Sequence, residues 1–371
     1  MSADDLLRAI WDDPSDDEAR HVYADHLERD GEPASVARAD FIRVQCALAA
    51  LPTGDGSPEA VLHREALQRR ERDLWNRHRK AFRKGLPDRL KSCAFERGFV
   101  APEFPGVTGH AFAKHYRELL PVAPAWNLGL RAIEPAPLEE MFASEGFARV
   151  RRLTMRAPGL LESLARSPHA HNLVELAWQY TFAPASVIQL LGALPRLAHL
   201  RIAACRLDLD AGLVASAGFA PRLRTLDLAS AKLDAAGVGD LFGGGRFASL
   251  EELDLSYNTP GDAIVETIVT AARLPALARL RLFGMGLTPD AAEAMASWRG
   301  ASALRELDLR GNILVGVAGV HAIVNSPHLS GLRSFSMFPS NVDHHAIVTL
   351  LQSRFGRCET VGRYGVTGVR G

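Results

Sequence analysis

The chain has 371 residues, of which 47% are apolar, and its 43 Lys and Arg residues balance 43 Asp and Glu residues. This composition is typical of a well-buried core and excludes a disordered chain, or one drawn to nucleic acid or membrane by its net charge. Four well-separated cysteines without a CxxC pair argue against a zinc site and a disulfide framework. The chain opens on an acidic amphipathic stretch and has no apolar run long enough to cross a bilayer, so we expect a cytoplasmic protein with no membrane contact.

The first segment, residues 6–51, predicts three short helices separated by the breaks DDPSDD and RDGEPAS. Their apolar patches are Leu6, Leu7 and Ile10, then Val22, Tyr23 and Leu27, then Phe41, Ile42, Val44 and Leu48. The motif residues are Asp13-Pro14, Tyr23-Ala24-Asp25, Leu27-Glu28 and Phe41-Ile42-Arg43-Val44-Gln45. On these motifs the segment resembles the small repeat-companion domain that precedes leucine-rich repeats in many predicted bacterial proteins, although the connection LERDGEPASVARADF is longer than usual. The resemblance implies a helical domain and supplies no activity that can be transferred to this chain.

A strongly basic helix is predicted over residues 64–86, after the turn-rich linker LPTGDGSPEA at residues 51–60. Its apolar residues Leu67, Leu74, Trp75, His78 and Phe82 lie near one face. One interpretation is a helix docked through that face, whose arginines are solvated and partly pair with the acidic first thirty residues. The other is a patch for phosphate, nucleic acid or an acidic protein, although few aromatic residues are interleaved for base stacking.

The rest of the chain repeats one pattern in phase. Copies follow one another at intervals that grow from 23 to 28 residues and settle at 27 to 28, which is the signature of a solenoid. Segments 262–274 and 288–298 between the strands have helical spacing, so each repeat is predicted to be a strand, a turn and a helix, with all strands in one parallel sheet. The copies begin at Val150, Leu173, Leu197, Leu223, Leu250, Leu277, Leu304 and Leu332, with an earlier copy at Ala123 that uses Trp126 and Leu128.

Short polar residues follow several of these strands. A tight turn that recurs along a stack leaves buried backbone groups, which such side chains can satisfy. Asn258 and Asn312 fit this role and Cys205 fits it more weakly, whereas Ala231 and Met285 stand at the same position and cannot fill it. We therefore expect a somewhat irregular solenoid.

The region from about Ala123 to Ser340 resembles leucine-rich-repeat proteins, and its period is similar to that of the ribonuclease-inhibitor class. The resemblance implies an α/β solenoid in the form of a horseshoe, with a parallel sheet inside and helices outside, which binds other macromolecules on its concave face. A helix over residues 342–358 is predicted to cap the array, and the Gly-rich end is expected to be a loose extension or to order on a partner. The predicted segments are 1–50 (helical domain), 51–92 (linker and basic helix), 93–358 (solenoid with cap) and 359–371 (flexible tail).

No catalytic or metal-binding pattern has the required spacing. His344 and His345 are adjacent and point to different faces, without an acidic or Cys partner four residues away. The FGGGR stretch at residues 242–246 lacks the Lys-Ser or Lys-Thr of a phosphate loop, and no GxSxG occurs. We expect no enzymatic activity, no cofactor and no metal.

If the repeated Leu positions face the core, the alternate residues of each strand form three columns on the concave sheet. These columns have an acidic centre at Asp227, Glu252 and Asp254, arginines on both sides, and two aromatic residues in the last repeats. Aromatic residues beside Arg are typical anchors of protein interfaces. We therefore predict a non-enzymatic scaffold for a protein or peptide partner, with polyanion or nucleic-acid binding through residues 64–86 as the alternative. The predicted partner-binding residues are Asp227, Asp254, Arg281, Phe283, Arg310 and Phe338.

Overall fold

The structure is a computed structural model that describes residues 2–52, 57–101, 109–130, 135–155, 160–179, 185–203, 211–259, 261–271, 273–338, 344–361 and 365–370. The chain forms two compact units, Met1–Arg152 and Leu153–Gly371. The boundaries expected at residues 50 and 92 fall inside the first unit, and the four-segment division stays a prediction. Within the described ranges, no helix combines the length and apolarity needed to span a bilayer.

The first unit begins with the three helices that the sequence predicts. Ser2 and Asp5 form a capping box at the first helix, and Asp16 caps the second. Gly31 ends the second helix in a left-handed conformation, and Pro33 occupies the first turn of the third. The elements of this unit are α1 (Ala3–Asp12), α2 (Asp17–Asp30), α3 (Pro33–Ala50), α4 (Pro58–Phe82), β1 (Phe95–Glu96), β2 (Phe99–Val100), α5 (Gly109–Lys114), α6 (Tyr116–Leu119), β3 (Trp126–Leu130) and α7 (Pro135–Phe142).

Helix α3 is the centre of this unit. One of its faces packs Ile42 against Ile10, Ala24 and Phe99, and the other packs Phe41 against Phe82. Strands β1 and β2 form an antiparallel hairpin beside it. The apolar face predicted for the basic helix is thus turned toward its own unit.

Polar contacts tie α3 to its neighbours. The Gln45 side chain donates to Glu71 of α4 at 2.7 Å and to the Phe95 carbonyl at 3.0 Å, and it accepts from the Gly98 amide at 2.7 Å. Arg43 pairs with Asp25 and Glu28 of α2 at 2.6 and 2.7 Å. The charged residues of the N-terminal motif therefore pair mainly with one another.

The second unit is a repeat array of strand, turn and helix, as the sequence predicts. Strand β4 (Val150–Met155) crosses the boundary between the units. The remaining elements are α8 (Leu161–Ala165), β5 (Glu175–Gln179), α9 (Ala185–Leu191), β6 (His199–Ala203), α10 (Gly212–Ser216), β7 (Thr225–Asp227), α11 (Ala235–Phe242), β8 (Glu252–Asp254), α12 (Asp262–Ala271), β9 (Arg279–Arg281), α13 (Pro289–Ala296), β10 (Glu306–Asp308), α14 (Gly316–Asn325), β11 (Ser334–Met337), α15 (His344–Phe355), β12 (Gly356–Val361) and β13 (Gly365–Arg370).

The strands of this unit lie side by side in chain order from β4 to β11. Pairing from β5 to β11 is parallel, and equivalent positions of successive repeats lie directly opposite one another, as in Leu226, Leu253 and Leu280. These leucines are at most 1% exposed, so one face of the sheet is core and the other carries the predicted columns. The horseshoe curvature stays a prediction.

Two asparagines support the turns of four repeats. The Asn258 amide donates to the carbonyls of Leu228 at 3.0 Å and Leu255 at 2.7 Å, and its oxygen accepts from the Leu233 amide at 2.9 Å. Asn258 thus bonds to its own repeat and to the preceding one.

Asn312 repeats this arrangement for the next pair. Its amide donates to the carbonyls of Leu282 at 2.7 Å and Leu309 at 2.9 Å, and its oxygen accepts from the amides of Met285 at 2.8 Å and Leu287 at 3.1 Å. The turns that carry Ala231 and Met285 at the Asn position are therefore hydrogen-bonded by the asparagine of the following repeat. An asparagine in every second one of these four repeats is enough to satisfy their turns. Cys205 lies outside the described residues.

The expectation that residues 359–371 form a flexible tail is wrong for the residues of this segment that the structure describes, 359–361 and 365–370. Strands β12 and β13 form an antiparallel hairpin, and β13 pairs antiparallel with β11. Val366 and Thr367 are buried, and the Ser336 and Thr367 hydroxyls are 2.7 Å apart. The last parallel strand would otherwise leave an open edge, and the hairpin covers that edge.

We predict that Asn312→Ala lowers the free energy of unfolding by about 3 kcal/mol or more, because four buried backbone groups lose their partner. Urea denaturation measures this. Asn325→Ala is the matched control, because Asn325 is exposed and makes a single hydrogen bond to the His321 carbonyl. Equal losses from the two substitutions would show that the buried amide does not support the turns.

Candidate functional site

The predicted site residues lie in register on the face of the sheet opposite the buried leucines. Asp227 is paired with Asp254, Asp254 with Arg281, and Arg281 with Asp308. Phe283, Arg310 and Phe338 follow the ends of β9, β10 and β11. The sheet thus brings all six residues onto neighbouring strands or the turns that follow them.

The acidic part of this face is largely engaged within the protein. Asp227 is buried, pairs with Arg201 at 2.6 Å, and accepts a hydrogen bond from the Ala229 amide at 3.0 Å. Burial raises the pKa of Asp227, and the negative charge of nearby Asp254 acts in the same direction. Asp254 in turn accepts from the Ser256 amide at 3.0 Å. Both carboxylates therefore accept a hydrogen bond from the turn after their strand, and Asp227 offers little surface to a partner.

The next two strands carry a cluster of opposite charges. Arg279 hydrogen-bonds to Glu252, and this bond holds the pKa of Glu252 below its usual range. Arg281 lies 3.9 Å from the other oxygen of Glu252, and its side chain is 43% exposed. Arg281 is thus an accessible cation on this face of the sheet, as are Arg201 and Arg279, whose side chains are 49% and 36% exposed.

Three aromatic rings and one guanidinium form a continuous group, which we call the aromatic strip: Tyr257, Phe283, Arg310 and Phe338. The ring centroids of Tyr257 and Phe283 are 4.8 Å apart, and Phe338 meets Phe283 edge to face at 5.6 Å. The guanidinium of Arg310 lies 5.8 Å from the Phe283 ring and 5.9 Å from the Phe338 ring. Such spacing is that of attractive aromatic and cation–π contacts.

Asp308 holds Arg310 in this position. Its carboxylate accepts from Nε of Arg310 at 2.9 Å and from Nη2 at 2.6 Å, a two-point contact that raises the pKa of Arg310. The backbone amide of Arg310 also donates to the Asp308 carboxylate at 3.0 Å. The guanidinium is therefore pre-oriented, and little side-chain freedom remains to be lost on binding.

The backbone of the turns makes room for the rings. Ser230, Tyr257, Gly284 and Gly311 occupy the same turn position, and all have positive φ. A Cβ at Gly284 would lie 3.0 Å from the Tyr257 ring, and one at Gly311 would lie 2.9 Å from the Phe283 ring. Each ring therefore lies over the glycine of the next repeat.

Sequence reasoning missed Tyr257 because it treated the residue before Asn258 only as part of a turn. Tyr257 has a φ of 57° and is 57% exposed. A bulky residue in the left-handed region costs roughly 1–2 kcal/mol, and such strain concentrates at functional sites. The signal was an aromatic residue in LDLSYN at a position where the next two repeats carry glycine.

No family model and no curated protein matches the chain. Among solved structures, it is similar to a chain of the Rad7 and Elc1 complex in yeast, at 14% identity and a TM-score of 0.36, over 82% of this chain and 91% of that one. It is also similar to an internalin from Listeria monocytogenes, at 13% identity and a TM-score of 0.30, over 56% of this chain and 71% of that one. These scores are too low to bear on function. The in-register parallel sheet, the helix after each strand and the buried asparagines make the second unit a leucine-rich-repeat-like array.

Two of the cysteines are poor candidates for nucleophiles. Burial raises the pKa of the Cys46 thiol to about 12 and that of Cys93 to about 11. Neither is a thiolate at neutral pH, and the thiolate is the reactive form.

We predict that Gly284→Ala displaces the Tyr257 ring and destabilises the protein more than Gly286→Ala does. Both glycines have positive φ, so both substitutions carry a backbone cost of about 1 kcal/mol, but no atom lies within 4 Å of a Cβ at Gly286. Denaturation gives the stability difference, and NMR of the Tyr257 ring protons reports its displacement. Unchanged ring signals in Gly284→Ala would contradict the packing described above.

We predict opposite effects of neutralising two carboxylates that lie on adjacent strands. The raised pKa of Asp227 means that its ionisation lowers stability as pH rises from about 3.8 through the folded-state pKa, so Asp227→Asn stabilises the protein at pH 7. The lowered pKa of Glu252 contributes stability that is present above the unfolded pKa and lost in acid, so Glu252→Gln destabilises the protein at pH 7. Thermal melts from pH 3 to pH 7 test both signs, and both differences should shrink toward pH 3. A destabilising Asp227→Asn at pH 7 would mean that the pair with Arg201 outweighs burial.

Proposed function

We propose that the protein is a non-enzymatic scaffold that binds a protein or peptide through the predicted concave face, with the aromatic strip as its anchor. The observation that carries this proposal is a pre-oriented group of three rings and one arginine around the strained, exposed Tyr257. Arg281 and Asp254 flank the strip and supply charge for orienting a partner.

Exposed apolar surface supports the same location. Among the described residues of the second unit, the large apolar side chains that are exposed are Tyr257, Ile313 and Leu314. Tyr257 lies in the turn after β8, and the other two lie in the turn after β10. Ile313 and Leu314 are adjacent in the chain, and contiguous exposed apolar side chains mark interaction sites more often than isolated ones do.

The chemistry of the strip fits recognition rather than turnover. Aromatic rings and an ion-paired guanidinium supply contact area and orientation, and interface hot spots are enriched in Tyr and Arg. The rings accept apolar or aromatic side chains of a partner, while Arg310 and Arg281 favour its carboxylates and carbonyls.

The test is a selection of peptides from a random phage-displayed library against the 371-residue chain, followed by affinity measurements on synthetic peptides. We predict that Phe283→Ala and Tyr257→Ala each weaken binding about 30-fold, the effect of losing a hot spot of about 2 kcal/mol. Arg310→Gln should weaken binding of peptides that carry carboxylates.

Arg299→Gln is the control, because Arg299 is exposed and lies after α13, outside the strip. Circular dichroism establishes that each variant is folded. Peptides whose affinity is the same for wild type and for the strip variants would place the recognition surface elsewhere and overturn the proposal.

Helix α4 supports the alternative of polyanion binding. Arg69, Arg72, Arg77 and Arg79 are exposed, while Arg70 pairs with Asp40. The aromatic residues Trp75 and Phe82 of this helix pack against Phe41 and Phe95, so they are not available to stack on bases.

We predict that any binding of heparin or single-stranded DNA is weak, falls steeply with salt, and is abolished when Arg69, Arg72, Arg77 and Arg79 are changed to Glu. Fluorescence anisotropy at several salt concentrations measures this. Salt-dependent binding that is lost on this charge reversal would favour the polyanion alternative, and indifference to both polyanions would exclude it.

A further inference from the structure

The first unit contains an arginine whose environment differs from that of the arginines around it. Arg38, on α3, lies between three aromatic rings, with its guanidinium carbon 4.9 Å from the Phe95 ring, 5.3 Å from Phe82 and 5.7 Å from Phe99. The faces of these rings attract a cation, but they do not replace the hydrogen bonds that a guanidinium makes in water.

The guanidinium of Arg38 has unused hydrogen-bonding capacity. Its Nη1 is buried and has no hydrogen-bond partner among the described residues. Burial lowers the pKa of Arg38 to about 10, so the side chain is still a cation at neutral pH. Arg43, on the same helix, pairs with two carboxylates instead. A buried, charged donor without an acceptor is costly, and an anion that bonds to it removes that cost.

Arg38 also lines a surface pocket of about 220 Å³. The other lining residues are Leu27, Ala34, Ser35, Ala81 and Phe82. Four of these five are apolar. The Ser35 hydroxyl donates to Asp30 at 2.7 Å, so its proton is engaged and a carboxylate lies near this residue. The pocket therefore combines one cation with apolar walls.

We infer that this pocket binds a small monocarboxylate with an apolar body, whose carboxylate pairs with Arg38 and whose apolar part contacts Leu27, Ala81 and Phe82. A carboxylate accepts two parallel hydrogen bonds from a guanidinium. A phosphate dianion fits less well, because the lining supplies a single cation and Asp30 repels a second negative charge. The carboxylate can belong to a free acid or to the C-terminus of a peptide.

The experiment is isothermal titration calorimetry of the 371-residue chain with hexanoate, with hexanamide as the neutral analogue and inorganic phosphate as the dianion. We expect saturable hexanoate binding that is at least about tenfold tighter than that of hexanamide or phosphate, which corresponds to one charge-assisted contact. A short peptide that ends in leucine, as the free acid and as the amide, distinguishes a chain terminus from a free acid. Preference for the acid in either pair supports the carboxylate assignment.

Variants locate the binding. Arg38→Gln should reduce hexanoate affinity at least about tenfold, and Arg77→Gln, which changes an exposed arginine of α4 outside the pocket, should not. If Arg38→Gln fails to fold, Ala81→Leu provides the test, because it narrows the pocket at an exposed helix position and leaves the guanidinium in place.

Three results would overturn the inference. The first is equal affinity for each acid and its amide, in both the hexanoate and the peptide pair. The second is tighter binding of phosphate than of hexanoate. The third is unchanged hexanoate affinity in both Arg38→Gln and Ala81→Leu.

Discussion

The buried turn that follows strands β7 to β10 is the constraint on which this part of the second unit depends. In these repeats the chain leaves a parallel strand and enters a helix, and the turn between them leaves amide and carbonyl groups inside the array, away from water. Asn258 and Asn312 satisfy these groups, and because each carboxamide bonds across two repeats, a neighbouring turn can carry Ala231 or Met285 instead. The array is therefore less regular in sequence than it is in hydrogen bonding.

The same turn positions the candidate recognition surface. In the described turns after β7 to β10, the residue before the asparagine position has a left-handed backbone, which glycine adopts without strain and other residues do not. Glycine at 284 and 311 leaves space that the rings of Tyr257 and Phe283 occupy, so the aromatic strip lies across the turns at the ends of the strands. Tyr257 carries strain that a glycine would relieve, which is the kind of local cost that proteins retain where a side chain serves binding.

In the first unit, the polar side chains of helix α3 differ in how many of their donors and acceptors have a partner. Arg43 and Gln45 find partners on α2, α4 and the β1–β2 hairpin, which fixes the position of α3. Arg38, from the same helix, is surrounded by aromatic rings and keeps a buried donor free beside a pocket. The hydrogen bonds and ion pairs of Arg43 and Gln45 stabilise the fold, whereas the buried Arg38 donor without a hydrogen-bond partner does not.

The sequence by itself determined the local elements and their register. Leucine alternation set the strands, because a shift of one residue would turn every leucine of the in-register sheet away from the core. Helix breaks and caps set α1 to α3, because Gly31 and Pro33 permit one helix to end and another to begin. Only the tertiary structure decided which of these residues contact one another, since the contacts join positions 26 to 35 residues apart in the chain. It placed Tyr257 beside Phe283, engaged Asp227 with Arg201, and paired the Gly-rich end with β11, where an open strand edge supplied the hydrogen-bond partners that the segment cannot supply alone.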